Sequence, residues 1–347
     1  MLGNHTDYNQ GVVLAAAIDR GLTVAGSSRD DEQIVFTSTA LERRVEAPLR
    51  AITRLTEDAW ANYPLGVARE MMVEGFSLRG FNAEISGDLP AGGGLSSSAA
   101  FEVATALFLA KLHQLDIPPL VLAKLCHRAE NNFVGVQSGL LDQATSVFGR
   151  ADQVVYLDCR SEEVSTIPLP HDISLIIADS GRTHSLVAGE YNARRAECAA
   201  AAERLGVSSL RDVSWAEVKR FRGPLPPILR SRALHIAGEN ERVLQAVEGL
   251  RAGDAAKIGM LMNASHESSR INFENSTPGL DLLVQFATKI PGVLGARLTG
   301  GGFGGSTVTM VRSAAAPAVI NRLTQAYLER TGIDPLPFAT KAAAGAR

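Results

Sequence analysis

The chain has 347 residues, of which 46% are hydrophobic and 20% charged, the composition of a soluble globular protein with a sizeable core. At about 150 residues per domain, this length indicates roughly two domains. The 34 Lys and Arg against 37 Asp and Glu leave a net charge of -3, which excludes the strong basic field of nucleic-acid binders and of proteins that bind anionic membranes. No charge-free apolar stretch reaches about 18 residues and no signal peptide is visible. We therefore expect a cytoplasmic protein with no membrane or nucleic-acid partner. As separate expectations, the protein is a monomer and acts on a small molecule.

The first half of the chain opens with a dense polar cluster at residues 4–11, directly before the first apolar run. The alternation and periodicity that follow predict, in order, a strand at 12–18, strand and turn over 22–36, a helix at 64–74, a strand at 81–85, a loop at 87–94, and helices at 96–112, 119–131 and 139–148. Serines at 96–98 stand where side chains commonly cap a helix.

The second half is predicted to contain strands at 154–157 and 175–178, a long helix at 187–205, helices at 233–250 and 255–268, and strands at 293–298 and 306–311. Strands and helices mix in both halves without a regular βαβ alternation, which favours an α+β fold over a doubly wound parallel sheet. The softest boundary lies near 168–171, so we predict an N-terminal domain at 1–168 and a C-terminal domain at 169–347.

A glycine- and serine-rich segment follows the strand at 81–85. Gly92, Gly93 and Gly94 let the backbone approach an anion closely, and serines at a helix start add donors near the positive end of the helix dipole. Such a segment suits a polyphosphate, although a plain turn with a serine cap is an alternative. No GxxxxGK[ST] motif is present, which excludes a Walker-type NTPase.

A second glycine cluster occupies residues 300–305. It satisfies GxGxxG, but a strand-like run follows it, whereas a dinucleotide-binding turn needs a helix there.

Two acidic residues are further candidates for the functional site. Asp142 lies in an apolar helical setting that suits a desolvated base, although an ordinary acid at a helix start is an alternative. Glu130 could hold a hard cation such as Mg²⁺. Histidine-metal and serine-hydrolase motifs are not found.

Together these segments resemble the galactokinase branch of the GHMP small-molecule kinase superfamily. The matching stretches are HTDY at 5–8, LSSSAA at 95–100, AENNFVG to LLDQ at 129–143, EYNARRAEC at 190–198, ENERV at 239–243 and GARLTGGGFGG at 295–305. The likeness runs along essentially the whole chain. LSSSAA indicates only the superfamily, whereas HTDY and EYNARR narrow it to the galactokinase branch.

The resemblance implies a two-lobed α+β kinase, with a ribosomal-S5-like N-terminal lobe, a ferredoxin-like C-terminal lobe, and ATP and sugar in the cleft between them. It implies transfer of a phosphoryl group from ATP to the C1 hydroxyl of galactose with Mg²⁺, giving galactose 1-phosphate in galactose catabolism. Asp142 would be the catalytic carboxylate, and Ser98 and Glu130 would hold Mg²⁺. ATP would contact Gly92, Gly93, Gly94, Leu95, Ser96, Ser97, Ser98 and, at the adenine, Trp60. The sugar would contact Asn4, His5, Thr6, Asp7 and Tyr191.

Two departures from the family pattern leave alternatives open. Asn4 stands where the family has a glutamate, so a neutral amide replaces a charged acceptor for a sugar hydroxyl. The chain also starts after the position of the family's signature arginine, so we expect an upstream element to be missing and this chain to be a weak kinase. The alternatives are a kinase for a related sugar such as N-acetylgalactosamine, a galactose and ATP sensor without turnover, or a nonfunctional fragment.

Overall fold

A computed structural model describes residues 1–90, 94–181 and 187–347, with the side chains of 187 and 188 left aside. Its helices are α1 (Asn62–Val73), α2 (Ser97–Leu112), α3 (Pro119–Arg128), α4 (Leu141–Phe148), α5 (Val187–Leu205), α6 (Trp215–Arg220), α7 (Pro227–Arg251), α8 (Ala255–Ser268), α9 (Pro278–Ala287) and α10 (Ala316–Thr331). Its strands are β1 (Val12–Ala15), β2 (Leu22–Ser28), β3 (Gln33–Ser38), β4 (Arg43–Pro48), β5 (Phe81–Gly87), β6 (Gln153–Asp158), β7 (Glu163–Pro168), β8 (Ile173–Asp179), β9 (Val293–Leu298), β10 (Ser306–Arg312) and β11 (Phe338–Thr340).

The strands of the described residues pair in the orders β1-β6-β7, β11-β8-β10-β9 and β2-β5-β3-β4. Within them, β3 and β5 run parallel and the other pairs are antiparallel. Largely antiparallel sheets combined with helices make this a mixed fold, and the α+β prediction is confirmed.

Contacts divide the chain into two compact units, which we treat separately. Unit 1 consists of Met1–Asp19, Gly92–Leu95 and Gly149–Ala343, and unit 2 of Arg20–Ala91, Ser96–Phe148 and Ala344–Arg347. In unit 2, the sheet β2-β5-β3-β4 shares a core with α1, α2 and α3, around Phe36, Phe81 and Leu109. In unit 1, β8 and β10 share a core with α7 and α8 that includes Leu175, Met262 and Met310. The domain boundary at 168/169 stays a prediction.

The predicted elements recur with shifted ends, and several elements were missed. The predicted strand and turn over 22–36 are two strands, β2 and β3, with a turn between them. Six elements of the described residues were not predicted, namely β4, β7, β11, α6, α9 and α10. The helix predicted at 233–250 begins earlier, because Pro227 occupies the first turn of α7. A proline is tolerated there, since the backbone N–H that it lacks would have no partner within the helix.

Two helices end in a widened π-helical turn. α3 continues into Ala129–Val134, which carries Glu130 and ends at Gly135 with a φ of 92°. α8 continues into Ser269–Phe273 and ends at Glu274 with a φ of 55°. Such turns are rare and frequently lie at functional sites, so both regions are of interest for the site. Among the described residues, no helix combines the length and the apolar character that crossing a membrane requires.

Candidate active site

The polar cluster near the start of the chain folds into a tight loop of unit 1, which we call the N-terminal segment (residues 3–11). His5 and Gln10 adopt left-handed backbone conformations, with φ of 63° and 54°. The hydroxyl of Thr6, which is fully buried, lies 2.8 Å from the Gly3 carbonyl oxygen and 2.7 Å from that of Val12. Thr6 therefore holds the loop closed from inside.

A buried carboxylate on α7 anchors this segment. Glu239 Oε2 accepts hydrogen bonds from the backbone N–H of Gly3 (3.0 Å) and of Asn4 (3.1 Å), and from the Ser265 hydroxyl (2.9 Å). Although burial opposes it, the charges of Arg242 and Arg297 hold the pKa of Glu239 well below its usual range. Glu239 is therefore a permanently ionised group whose acceptor capacity is fully used.

His5 lies between aromatic rings and is neutral. Its ring centroid is 4.5 Å from that of Phe273 and 4.9 Å from that of Tyr191. Burial lowers its pKa to about 3. Its Nε2 lies 2.9 Å from the Gly301 carbonyl oxygen and its Nδ1 2.9 Å from the Tyr8 hydroxyl. Since a carbonyl only accepts, Nε2 carries the proton and Nδ1 accepts from Tyr8.

Tyr191 approaches the second glycine cluster from α5. A β-carbon built on Gly301 would lie 3.1 Å from Cδ2 of Tyr191, so the ring packs directly on the glycine backbone. Tyr191, Asn4 and Asp7 are each partly exposed, whereas His5 and Thr6 are buried. The structure thus brings together the predicted sugar residues at 4–7 and 191, and divides them into three that can reach a ligand and two that shape the loop.

The predicted phosphate loop is described only in part, because Gly92 and Gly93 lie outside the described residues. Gly94 has a φ of 71°, and a β-carbon built on it would lie 3.2 Å from the Thr299 carbonyl oxygen. A β-carbon on Gly300 would in turn lie 2.9 Å from the Gly94 carbonyl oxygen. The two glycine clusters therefore lie close together at Gly94 and Gly300.

Helix α2 begins directly after this loop, and the cap prediction for its serines was wrong in one respect. Ser96 is the N-cap residue, but it has a left-handed φ of 56° and its side chain makes no cap hydrogen bond. Its hydroxyl instead hydrogen-bonds Asp142. Ser97 and Ser98 occupy the first turn of the helix, and Leu95 packs against the core of unit 1. A strained serine at this position therefore serves a carboxylate instead of the helix.

Asp142 is in the first turn of α4 in unit 2. Burial and, to a smaller extent, the nearby charge of Glu130 raise its pKa to about 6, and the hydrogen bond from Ser96 opposes the shift. A carboxyl with a pKa near neutral pH can accept a proton from a reacting group and release it again. Asp142 has the electrostatics of a general base.

Glu130 belongs to a buried polar network that sequence reasoning did not find. Nε2 of Gln143 donates to Oε2 of Glu130 (3.0 Å) and to Oε2 of Glu102 (2.9 Å), and the Ser138 hydroxyl donates to Glu130. Burial and the charge of Glu130 raise the pKa of Glu102 well above its usual range. Glu102 Oε1 and Gln143 Oε1 are buried and have no hydrogen-bond partner within the part of the chain that the structure describes.

Glu102 follows Ser98 by four residues on α2, and residues four apart share a helix face. Ser98 therefore lies on the side of α2 that faces the Gln143 bridge to Glu130. A serine hydroxyl and a carboxylate are hard oxygen donors, and Mg²⁺ is commonly held by one or two protein oxygens together with substrate phosphates. The unpartnered oxygens and the mutual repulsion of the acids fit a cation here. Among the described residues, no group of three or more His, Cys, Asp or Glu could hold a metal.

Trp60, the predicted adenine contact, lies in the 3₁₀ turn before α1 in unit 2. Its ring stacks at 6.1 Å between centroids and 20° between planes on Phe101 of α2. Its Nε1–H donates to Asp58 (3.1 Å). The indole is thus fixed on α2, the helix that starts at the phosphate loop, and its contact with adenine stays a prediction.

Four residues that sequence reasoning gave no role support the predicted site, namely Glu102, Gln143, Glu239 and Asn275. Asn275 is fully buried between the second π-helical turn and α9, and it contacts Asn4. Of these, Gln143 and Glu239 fall within stretches that carry the family resemblance, so the resemblance could have pointed to both residues. Glu102 could have been found from the spacing of four residues to Ser98, an acid among apolar positions of α2.

Three family models match the chain. They describe the galactose-binding signature of galactokinase over residues 1–28, the N-terminal domain of GHMP kinases over residues 62–150, and the C-terminal region of GHMP kinases over residues 246–329. The first covers the N-terminal segment, and the second covers the phosphate loop, Glu130 and Asp142.

Curated relatives and solved structures agree. The chain is 41% identical to the galactokinase of Roseiflexus sp. strain RS-1 over 99% of this chain and 89% of that protein, and 39% identical to that of Haemophilus influenzae strain KW20 over 100% and 92%. The crystal structure of Lactococcus lactis galactokinase complexed with galactose matches at a TM-score of 0.94 and 32% identity, covering 99% of this chain and 91% of that one. A mevalonate kinase matches at a TM-score of 0.67 and 18% identity, which speaks for the fold alone. The predicted GHMP kinase fold is confirmed.

Proposed function

Since the chain belongs to the galactokinase family of the GHMP kinases, we propose that it transfers the γ-phosphoryl group of ATP to the C1 hydroxyl of galactose. The product is galactose 1-phosphate, and the reaction serves galactose catabolism. The protein acts as a monomer in the cytoplasm.

The observation that carries the proposal is the hydrogen bond between Ser96 and Asp142. It joins the serine that ends the phosphate loop to the carboxyl whose raised pKa suits a general base. A base held beside a phosphate-binding loop is the arrangement that phosphoryl transfer needs, since this chemistry depends on positioning and charge neutralisation.

In this proposal Asp142 takes or orients the proton of the C1 hydroxyl, so that the oxygen can attack the γ-phosphorus. The backbone from Gly92 to Leu95, with Ser96, Ser97 and Ser98, cradles the phosphates of ATP. Ser98 and Glu130 hold Mg²⁺, which when bound neutralises charge on the phosphate oxygens. Gln143 and Glu102 keep the carboxylate of Glu130 oriented.

The contacts to the sugar and to adenine are assigned to the remaining predicted residues. Asn4, Asp7 and Tyr191, which are partly exposed, touch galactose directly. His5 and Thr6 contribute through the backbone and the ring stack that they stabilise. Trp60 lines the adenine pocket from its fixed position on Phe101.

Steady-state turnover with galactose, ATP and Mg²⁺ tests this function, with ³¹P NMR to identify galactose 1-phosphate. Glucose and N-acetylgalactosamine serve as comparison sugars. We expect galactose to be phosphorylated with the highest kcat/KM. Binding of galactose and ATP without any product would instead identify a sensor, and a higher kcat/KM for N-acetylgalactosamine would assign a different substrate.

A further inference from the structure

Asn4 and Asn275 form a pair of side-chain amides in unit 1 whose orientation is fixed by two carbonyl groups. Asn4 Nδ2 donates to the Gly300 carbonyl oxygen (2.8 Å), and Asn275 Nδ2 donates to the Gly301 carbonyl oxygen (3.0 Å). A carbonyl oxygen can only accept, so each amide must turn its nitrogen toward the glycine cluster. Asn275 Nδ2 then donates its second hydrogen to Asn4 Oδ1 (2.9 Å).

This arrangement uses both N–H groups of the Asn275 side chain. It uses one of the two N–H groups and one of the two oxygen lone pairs of the Asn4 side chain. Asn275 is fully buried, and its Oδ1 has no hydrogen-bond partner among the described residues. An unpaired buried acceptor lowers stability, so the value of this side chain lies in its two N–H groups. Asn4 is partly exposed and retains one N–H and one lone pair for a ligand.

The backbone of Asn4 is fixed as firmly as its side chain. Its N–H donates to Glu239, and its carbonyl oxygen lies 3.2 Å from Nε2 of His235. A carboxylate at position 4 could accept from Asn275, but it would place an oxygen against the Gly300 carbonyl in place of a donor. The surroundings of position 4 therefore suit an amide and not an acid.

We propose that Asn275 is a positioning residue that sets the Asn4 amide, and that the pair gives the sugar site an N–H donor at position 4. The pair then determines specificity, because its N–H can bind a sugar substituent that only accepts hydrogen bonds. A carboxylate at position 4 would repel such a substituent. This inference rests on the proposed function, since it takes the ligand to be a galactose-type sugar.

The first test is a double-mutant cycle on the full chain with Asn4→Ala, Asn275→Leu and the double variant. Galactose affinity is measured by calorimetry without nucleotide, and KM values by turnover. We expect Asn275→Leu to weaken galactose about tenfold, with kcat and the KM for ATP within about twofold, and Asn4→Ala to add little in the Asn275→Leu background. Asn82→Leu, at a partly exposed position of unit 2 where the amide oxygen accepts from Arg29, is the matched control and leaves galactose affinity unchanged.

Additive effects of the two changes, or an equal loss of ATP and galactose affinity, would overturn the positioning role. Thermal unfolding of each variant shows whether it is folded. If Asn275→Leu does not fold, Asn275→Asp takes its place in the cycle, because it keeps the shape and removes both N–H groups.

The second test uses galactoses in which one hydroxyl at C2, C3, C4 or C6 is replaced by fluorine or by hydrogen. Fluorine accepts weakly and never donates. At one position, we expect the wild-type protein to bind the fluoro sugar at least threefold more tightly than the deoxy sugar, and Asn4→Asp to reverse that order. The same order in both proteins at every position would overturn the inference.

These results separate the inference from the proposed function. Galactose binding without turnover would refute the kinase while the binding data still decide the role of the pair. No binding of any of these sugars would overturn both.

Discussion

Two carboxylate sites among the described residues are opposites in electrostatics. Around Glu239, two backbone N–H groups, a serine hydroxyl and two arginines satisfy the charge, and the pKa is lowered. Around Asp142 and Glu102, burial and a neighbouring acid disfavour the charge, and both pKa values are raised. The comparison indicates that a satisfied carboxylate fixes the binding loop, while an unsatisfied one supplies reactivity.

The largest expected effect is the loss of turnover when Asp142 is replaced. Asp142→Asn removes the group that accepts the proton, so turnover falls by about 10²- to 10⁴-fold, while calorimetric affinities for ATP and galactose stay within a few-fold. Because the folded-state pKa is raised to about 6 from the ordinary value of 3.8, the ionised carboxylate opposes folding above pH 6. The variant should therefore melt at or above the wild-type temperature at pH 8. Near-wild-type turnover would remove Asp142 from the mechanism.

The same substitution at the two fully buried glutamates should give different results. Glu239→Gln leaves the buried Arg297 and the partly exposed Arg242 without their counter-charge, which costs about 3 kcal/mol of unfolding free energy. Glu102→Gln resembles the protonated acid already favoured there and should change stability little. Urea unfolding at pH 7.5 measures both, and equal losses would contradict the comparison. Glu248→Gln on exposed α7 surface controls for the substitution itself.

A smaller effect is expected where the glycine cluster meets Tyr191. Gly301→Ala places a methyl group 3.1 Å from the ring, so the ring must shift from its contact with His5. We expect the KM for galactose to rise about five- to tenfold with kcat changed less. Gly21→Ala, where no atom lies within 4 Å, is the control. An unchanged KM for galactose in Gly301→Ala would show that this ring position does not matter for the sugar.

The smallest effect is a shift in pH dependence. Turnover needs ionised Asp142, so kcat should fall as the pH drops through about 6. Ser96→Ala removes the hydrogen bond that opposes the raised pKa, and the midpoint should therefore move to higher pH. Profiles of kcat between pH 5 and 9 for both proteins check this, and a midpoint that moves to lower pH would contradict the assigned bond.

Sequence reasoning predicted the mixed fold and the main helices, because strong periodicity is a local signal, whereas the roles of the site residues stay predictions. It missed what depends on contacts distant along the chain. The bond from Glu239 to Gly3 spans 236 positions and that from Asn275 to Asn4 spans 271, so no pattern reports them. It also assigned Ser96 to a helix cap, because a local preference gave no sign that Asp142 would take the hydroxyl.

The π-helical turn at Ala129–Val134 has a consequence for how the protein tolerates insertions and deletions. An α-helix advances about 100° per residue, and a π turn contains one residue more than the α turn it replaces. Deleting a single residue from this turn would allow regular helix to continue and would rotate the end of the helix by roughly a quarter turn. Gln143 reaches Glu130 in the present phase, so the phase of this short stretch sets the alignment of these two side chains.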